Sequence, residues 1–122
     1  MKQQEALQVY ETVGKTWTMA ELMETGEQVY AQACQSCHQA NGQGIPPAFP
    51  SLVGQGLAIG PIDAHIDIVV NGKAGSAMQA FAAQLNPAEI AAVVTYERNA
   101  WGNNVGDLVQ PRAVNALISS EE

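Results

Sequence analysis

Positive charge is scarce in this 122-residue chain: five Lys and Arg stand against twelve Asp and Glu, for a formal net charge of -7. Neutralising nucleic-acid phosphates takes a basic stripe, and docking on anionic lipid takes a basic cluster, so both roles are excluded. Cysteine is almost absent too. The two present, Cys34 and Cys37, are so close in sequence that a bridge would close almost no loop, which excludes a disulfide framework and assigns them to chemistry instead. No uninterrupted apolar run approaches the roughly 18 residues of a membrane span, so this segment does not itself insert into a bilayer. No apolar stretch follows Met1-Lys2-Gln3-Gln4 as a signal would, so either a signal has been removed or the chain is a piece of a longer protein. There is no internal repeat and no convincing strand pattern. What is present is 47% apolar residues, enough for one packed domain.

Residues 1–17 are polar and mixed, and read as a linker or N-terminal arm. Thr18-Met19-Ala20-Glu21 has the form of a capping box. Helical spacing follows through Leu22, Met23, Val29, Tyr30 and Ala33 and runs directly into Cys34. Gly26 interrupts it at a cost of roughly 1 kcal/mol, so it either ends a short first helix or admits a close neighbour. Residues 39–61 hold five glycines and four prolines, which argues against regular structure. That loop also carries Ile45, Phe49, Leu52, Val53, Leu57 and Ile59, so it must pack on something, and a non-protein core component is expected. Ile62, Ile66, Val69 and Val70 share a helical face that ends at Asn71-Gly72. A second glycine-containing loop, 73–85, holds Met78 and Phe81. Asn86-Pro87-Ala88-Glu89 is a strong helix start, and Ile90, Val93, Val94 and Trp101 share the face that follows. Glu97 falls near the same stripe with no evident reason. The domain is therefore expected over 18–104, all-α with long loops, and 105–122 reads as a C-terminal tail.

Cys34-Gln35-Ser36-Cys37-His38 is the C-x-x-C-H sequence of covalent haem attachment. At this spacing two thiols can each form a thioether to one haem vinyl group, and the following imidazole then lies beneath the iron. A redox C-x-x-C ordinarily follows a strand, which is absent here. A zinc site would need Cys34, Cys37, His38 and His65, but adjacent Cys37 and His38 seldom chelate one tetrahedral ion. One haem c, with His38 as a metal ligand, is the expected cofactor. For the second axial position the candidates are Met78, His65, Met19 and Met23, and Met78 is preferred because its loop can carry a thioether over the far haem face. A His/Met pair raises the reduction potential and suits a carrier. The other nitrogen of His38 needs an acceptor, and the carbonyls of Pro46 and Pro47 are candidates, unless these prolines merely stiffen the loop.

Over about residues 18–101 the chain resembles the class I cytochromes c. The resemblance lies in Gly26, Tyr30, the motif at 34–38, Pro47-Ala48-Phe49, Met78 and the last helix with Tyr96. It implies that the first and last helices cross near Gly26 and Tyr96, that Pro47 orients His38, and that Leu52 faces the haem. The usual Met-Pro of that family reads Met78-Gln79 here. Residues 17–23, 77–81 and 95–103 resemble a narrower branch, the cytochrome c domain at the C-terminus of subunit II of bacterial haem–copper oxidases. There, two membrane helices and a dinuclear copper domain come first, and this chain has no further cysteine for such copper. The resemblance implies a non-catalytic electron-transfer domain on the outer, periplasmic face of the inner membrane, tethered there by the full-length protein. Its partners would be an electron-donating redox protein on one side and the copper domain of the oxidase on the other. A free periplasmic carrier and a dehydrogenase cytochrome domain are the alternatives.

Residues 28–62 and 74–88 contain no charged residue. In a class I cytochrome they would flank the exposed haem edge, which is then ringed by Ile45, Ala48, Met78, Gln79, Ala80 and Phe81. Glu21, Glu24, Glu27, Asp63 and Asp67 lie outside that ring and would only steer a basic partner. Arg98, Lys73, Trp101 and Asn71 are candidate donors to the haem propionates, although Arg98 reads equally well as an ordinary exposed arginine.

Overall fold

The computed structural model describes residues 16–45, 51–54, 56–73, 78 and 80–120. Pro46, Pro47, Ala48, Phe49 and Gln79 lie outside them, and so does the role expected of Pro47. Among the described residues the fold is helical and has no strand.

Helix α1, Met19–Ala33, starts on a complete capping box. The Thr18 hydroxyl accepts from the Glu21 N–H at 3.1 Å, and the Glu21 carboxylate accepts from the Thr18 N–H at 3.0 Å. These bonds satisfy two of the N–H groups that a helix start leaves open. The helix continues through Gly26 and buries Leu22, Gly26, Val29 and Tyr30. Of the two roles foreseen for Gly26, close approach is the one it takes: a Cβ there would overlap the Ala92 carbonyl oxygen and lie 2.6 Å from Tyr96 Cβ. Helix α1 ends at Cys34, whose N–H bonds the Tyr30 carbonyl at 2.9 Å. A single turn, α2, follows over Gln35–His38 and stops at Gln39, which takes the left-handed φ of 69°.

A 3-10 turn at Gly56–Ala58 leads to α3, Ile62–Asn71, which buries His65, Ile66, Val69 and Val70. Gly72, at φ 70°, ends it. The loop beyond docks back onto its last turn, with the Phe81 and Ala82 N–H groups bonding the carbonyls of Val69 and Val70. Helix α4, Pro87–Asn99, has the expected N-cap: Asn86 accepts from the Glu89 N–H at 2.8 Å, and Pro87 opens the first turn. Every residue from Ile90 to Thr95 is buried, so α4 is the central element, and α1, α3 and α5 all pack on it.

Helix α5, Pro111–Ser120, corrects the expectation of a C-terminal tail over 105–122. Val109 and Val114 are fully buried and belong to the same core cluster as α1, α3 and α4. The Thr95 hydroxyl donates to Ala91 and accepts from the Val109 N–H at 2.9 Å, which fixes the approach of this segment to α4. Gln110 clasps the start of the domain. Its side-chain oxygen accepts from the Trp17 N–H and its amide donates to the Trp17 carbonyl, both at 2.9 Å.

Candidate haem attachment site

Cys34 stands where α1 gives way to α2, and the N–H groups of Cys37 and His38 both bond back to its carbonyl, at 3.2 and 3.0 Å. That turn brings residues three apart onto one side, the arrangement two thioethers to one porphyrin require. The two cysteines form no disulfide; Cys34 is buried, and Cys37 and His38 are half-buried. Burial chiefly, and next the negative charge of Glu97, hold the Cys34 thiol well above its ordinary pKa. A thiol so held is protonated at neutral pH, unlike the exposed, activated thiolate of a redox pair. The zinc alternative also fails on placement, because among the described residues no three His, Cys, Asp or Glu gather around one point.

The chain beyond the motif is held by residues of α1 and of the segment after α4. The Tyr30 hydroxyl donates to the Gln39 carbonyl at 2.5 Å, and the Trp101 indole N–H donates to the Ala40 carbonyl at 2.9 Å. Gly42, at φ 74°, lies so close beneath the Trp101 ring that a Cβ would come within 2.5 Å of it. Tyr30, Tyr96 and Trp101 contact one another, with ring centroids 4.9 to 5.6 Å apart. Leu52 is positioned by its own backbone. Its N–H bonds the Gly42 carbonyl at 2.7 Å, and its carbonyl accepts from the Asn103 amide at 2.6 Å. Asn103 also accepts from the Gly54 N–H and donates to the Glu97 carbonyl, so one buried amide joins the loop to the end of α4. Leu52 and Met78 are half-buried and pack against the core cluster that contains Cys34.

His65 has other work. Its Nε2 lies 2.7 Å from a Glu97 carboxylate oxygen and its Nδ1 lies 3.3 Å from Arg98 Nη1, with both ring nitrogens inside the protein. Its candidacy as an axial ligand ends there. Arg98 is 3% exposed, not the surface arginine or propionate donor considered from sequence. Its guanidinium donates to both Asp107 oxygens, at 2.7 and 3.0 Å, and to the Gly60 carbonyl at 2.8 Å. The Trp101 indole is likewise occupied by Ala40. Met19 and Met23 are half-buried on α1. The sequence reading missed the His65–Glu97 pair and the role of Asn103. For the pair there was a signal: one polar residue on each of two apolar stripes, the pattern of a buried couple.

The donor set fits a haem. Two thiols sit at attachment spacing, an imidazole follows them, and a thioether and a leucine lie on the same core. The fold and this donor set define a small helical haem c protein. The chain belongs to the family described as "Cytochrome C oxidase, cbb3-type, subunit III", which it matches over residues 21–96. As a cytochrome c domain it holds its haem covalently, through Cys34 and Cys37, and carries electrons rather than catalysing a reaction. Among its relatives is a cytochrome c-552 of Thermus thermophilus, 40% identical over 92 residues, covering 64% of this chain and 69% of that protein. A gluconate 2-dehydrogenase cytochrome c subunit of Pantoea cypripedii is 29% identical over 109 residues, covering 80% of this chain and only 25% of that subunit. The cytochrome bc1 complex cytochrome c subunit of Mycobacterium tuberculosis is 51% identical over 37 residues, covering 30% of this chain and 13% of that one. Among the described residues no helix is long and apolar enough to cross a membrane.

Proposed function

We propose that this domain carries single electrons on a haem c ligated by His38 and Met78, as the cytochrome c domain of a haem–copper oxidase subunit II that relays electrons to the dinuclear copper centre. The carrying observation is the placement of the C-x-x-C-H turn at the end of α1 with Met78 on the same core cluster as Cys34. Bound there, haem c supplies an iron that changes oxidation state without making or breaking bonds. The protein's part is to hold that iron in one geometry. His38 gives the imidazole, fixed by the turn that carries it. Pro47 would offer its carbonyl to the other imidazole nitrogen, Leu52 would wall the haem, and Met78 would supply a thioether to the iron and so keep substrate from it. A ligand set that barely moves between oxidation states is what fast outer-sphere transfer needs.

The oxidase assignment rests on the stretches at 17–23, 77–81 and 95–103, and it places the domain on the periplasmic face of the inner membrane. Its electron donor is then another cytochrome or redox protein. The similarity to cytochrome c-552 and to a dehydrogenase cytochrome subunit favours a second reading, a free periplasmic carrier or a dehydrogenase domain.

Two measurements test these proposals. The oxidised holoprotein is expected to show the weak long-wavelength absorption of an iron–thioether bond, and Met78→Ala to abolish it while the haem stays attached; a band that survives the substitution rejects Met78 as ligand. Mixed with the soluble dinuclear-copper domain of a subunit II, the reduced holoprotein is expected to lose its electron within milliseconds. Transfer no faster than to an unrelated copper protein rejects the oxidase partner and favours the second reading.

A further inference from the structure

Glu97 and His65 are buried, at 4% and 2% exposure, on the facing stripes of α4 and α3. Arginine has only donors, so Arg98 Nη1 must donate to His65 Nδ1, which leaves the ring proton on Nε2 to be donated to Glu97. His65 is therefore held neutral, in one tautomer. The guanidinium of Arg98 is matched by the two-pronged contact with Asp107. Of the charged and titratable groups that meet here from α3, α4, the Gly60 turn and the segment before α5, the Glu97 carboxylate is the one faced by a neutral partner.

We infer that Glu97 is a fixed interior negative charge that biases the haem toward its ferric state, and that His65 and Arg98 are the positioning residues that hold it there. Glu97 lies one turn along α4 from Val93 and Val94, which share the core cluster with the haem-bearing Cys34. Its backbone is tied to the haem side of the domain, because the Asn103 amide donates both to the Glu97 carbonyl at 2.9 Å and to the carbonyl of Leu52, the residue expected to wall the haem, at 2.6 Å. In keeping with that placement, its charge acts with burial to raise the Cys34 thiol. Ferric haem carries one more positive charge than ferrous haem, so a nearby carboxylate favours it. A buried charge is little screened by salt, which distinguishes it from the exposed acids of α1. The inference requires haem at Cys34 and Cys37, but neither Met78 ligation nor an oxidase partner, so it stands or falls separately from those proposals.

The test is an optical redox titration of the holoprotein against Glu97→Gln, whose side-chain carbonyl still accepts from His65 Nε2. At a fixed ambient potential the variant is expected to show a ferrous-to-ferric ratio three- to tenfold higher, about 28 to 59 mV on the one-electron scale. The difference is expected to persist from about 10 to about 500 mM salt. An unchanged ratio, a shift toward ferric haem, or a shift that fades with salt overturns the inference. If the variant does not load haem, redox-difference infrared spectra of the wild type labelled with carbon-13 glutamate decide. Reduction is expected to move a labelled carboxylate stretch. A labelled protonated carboxyl band, or no labelled change at all, overturns the inference, because Glu97 is the one buried glutamate among the described residues.

Discussion

Gly26 is where one methyl group has the least room. The Ala92 carbonyl it would strike is backbone within α4 and buried, so neither helix can yield without losing its partner. Gly26→Ala is expected to lower stability by at least about 2 kcal/mol despite alanine's better helix propensity, read as a lower denaturant midpoint of the holoprotein. An unchanged or raised midpoint would mean that the helices do not cross at that distance. The sequence carried half of this argument, since a glycine inside an otherwise good helix needs a reason, and close approach was one of two. Local pattern alone could not choose between them, because the neighbour lies some 66 positions away at Ala92; the resemblance to class I cytochromes c made the choice, by implying a crossing near Gly26 and Tyr96. Glu97 shows the same limit. Its place on an apolar stripe was visible, but the partner that makes the placement tolerable is set by how α3 meets α4, which no local pattern records.

At the scale of elements, helix starts were the most legible features. Both capping boxes were readable because a cap is a contract between residues three apart, Thr18 with Glu21 and Asn86 with Glu89. Helix α5 was not read, although Pro111 at its start and Val114, Leu117 and Ile118 at helical spacing were in view. It is only 10 residues long, and Asn115 and the closing Ser119-Ser120 give it little intrinsic strength; what holds it is burial against α4, a tertiary term. If so, Val114→Ala is expected to cost about 2 kcal/mol, measured by thermal or denaturant unfolding, whereas a substitution in a true tail falls within about 0.5 kcal/mol of zero. A near-zero result would return α5 to the status of an appendage. The long loops were legible only as places needing an apolar partner. Their course depends on contacts supplied from elsewhere, such as the Asn103 amide on Leu52 and Gly54 and the Trp101 ring over Gly42.

For the whole molecule, the net charge of -7 is unevenly spread. Glu24, Glu27, Asp63 and Asp67 are exposed on α1 and α3, while the uncharged stretches 28–62 and 74–88 contain the attachment motif and Met78. If electrons leave through that uncharged part, the contact is short-range and the acids act only at a distance. The rate of transfer to the copper domain is then expected to change less than about threefold between roughly 10 and 200 mM salt; a steep fall would place the contact on the acids instead. The clasp between Trp17 and Gln110 bears on a different kind of load. A domain joined to other parts through residue 16 is tugged whenever its neighbours move. That tension meets first the paired hydrogen bonds to one Gln110 amide, anchored on α5, and a third from Arg112 to Thr16. Cys34 lies at the opposite end of a 15-residue helix, about 22 Å along its axis. In a protein so joined, the clasp would act as strain relief at the cable's end, sparing the haem turn from the pull.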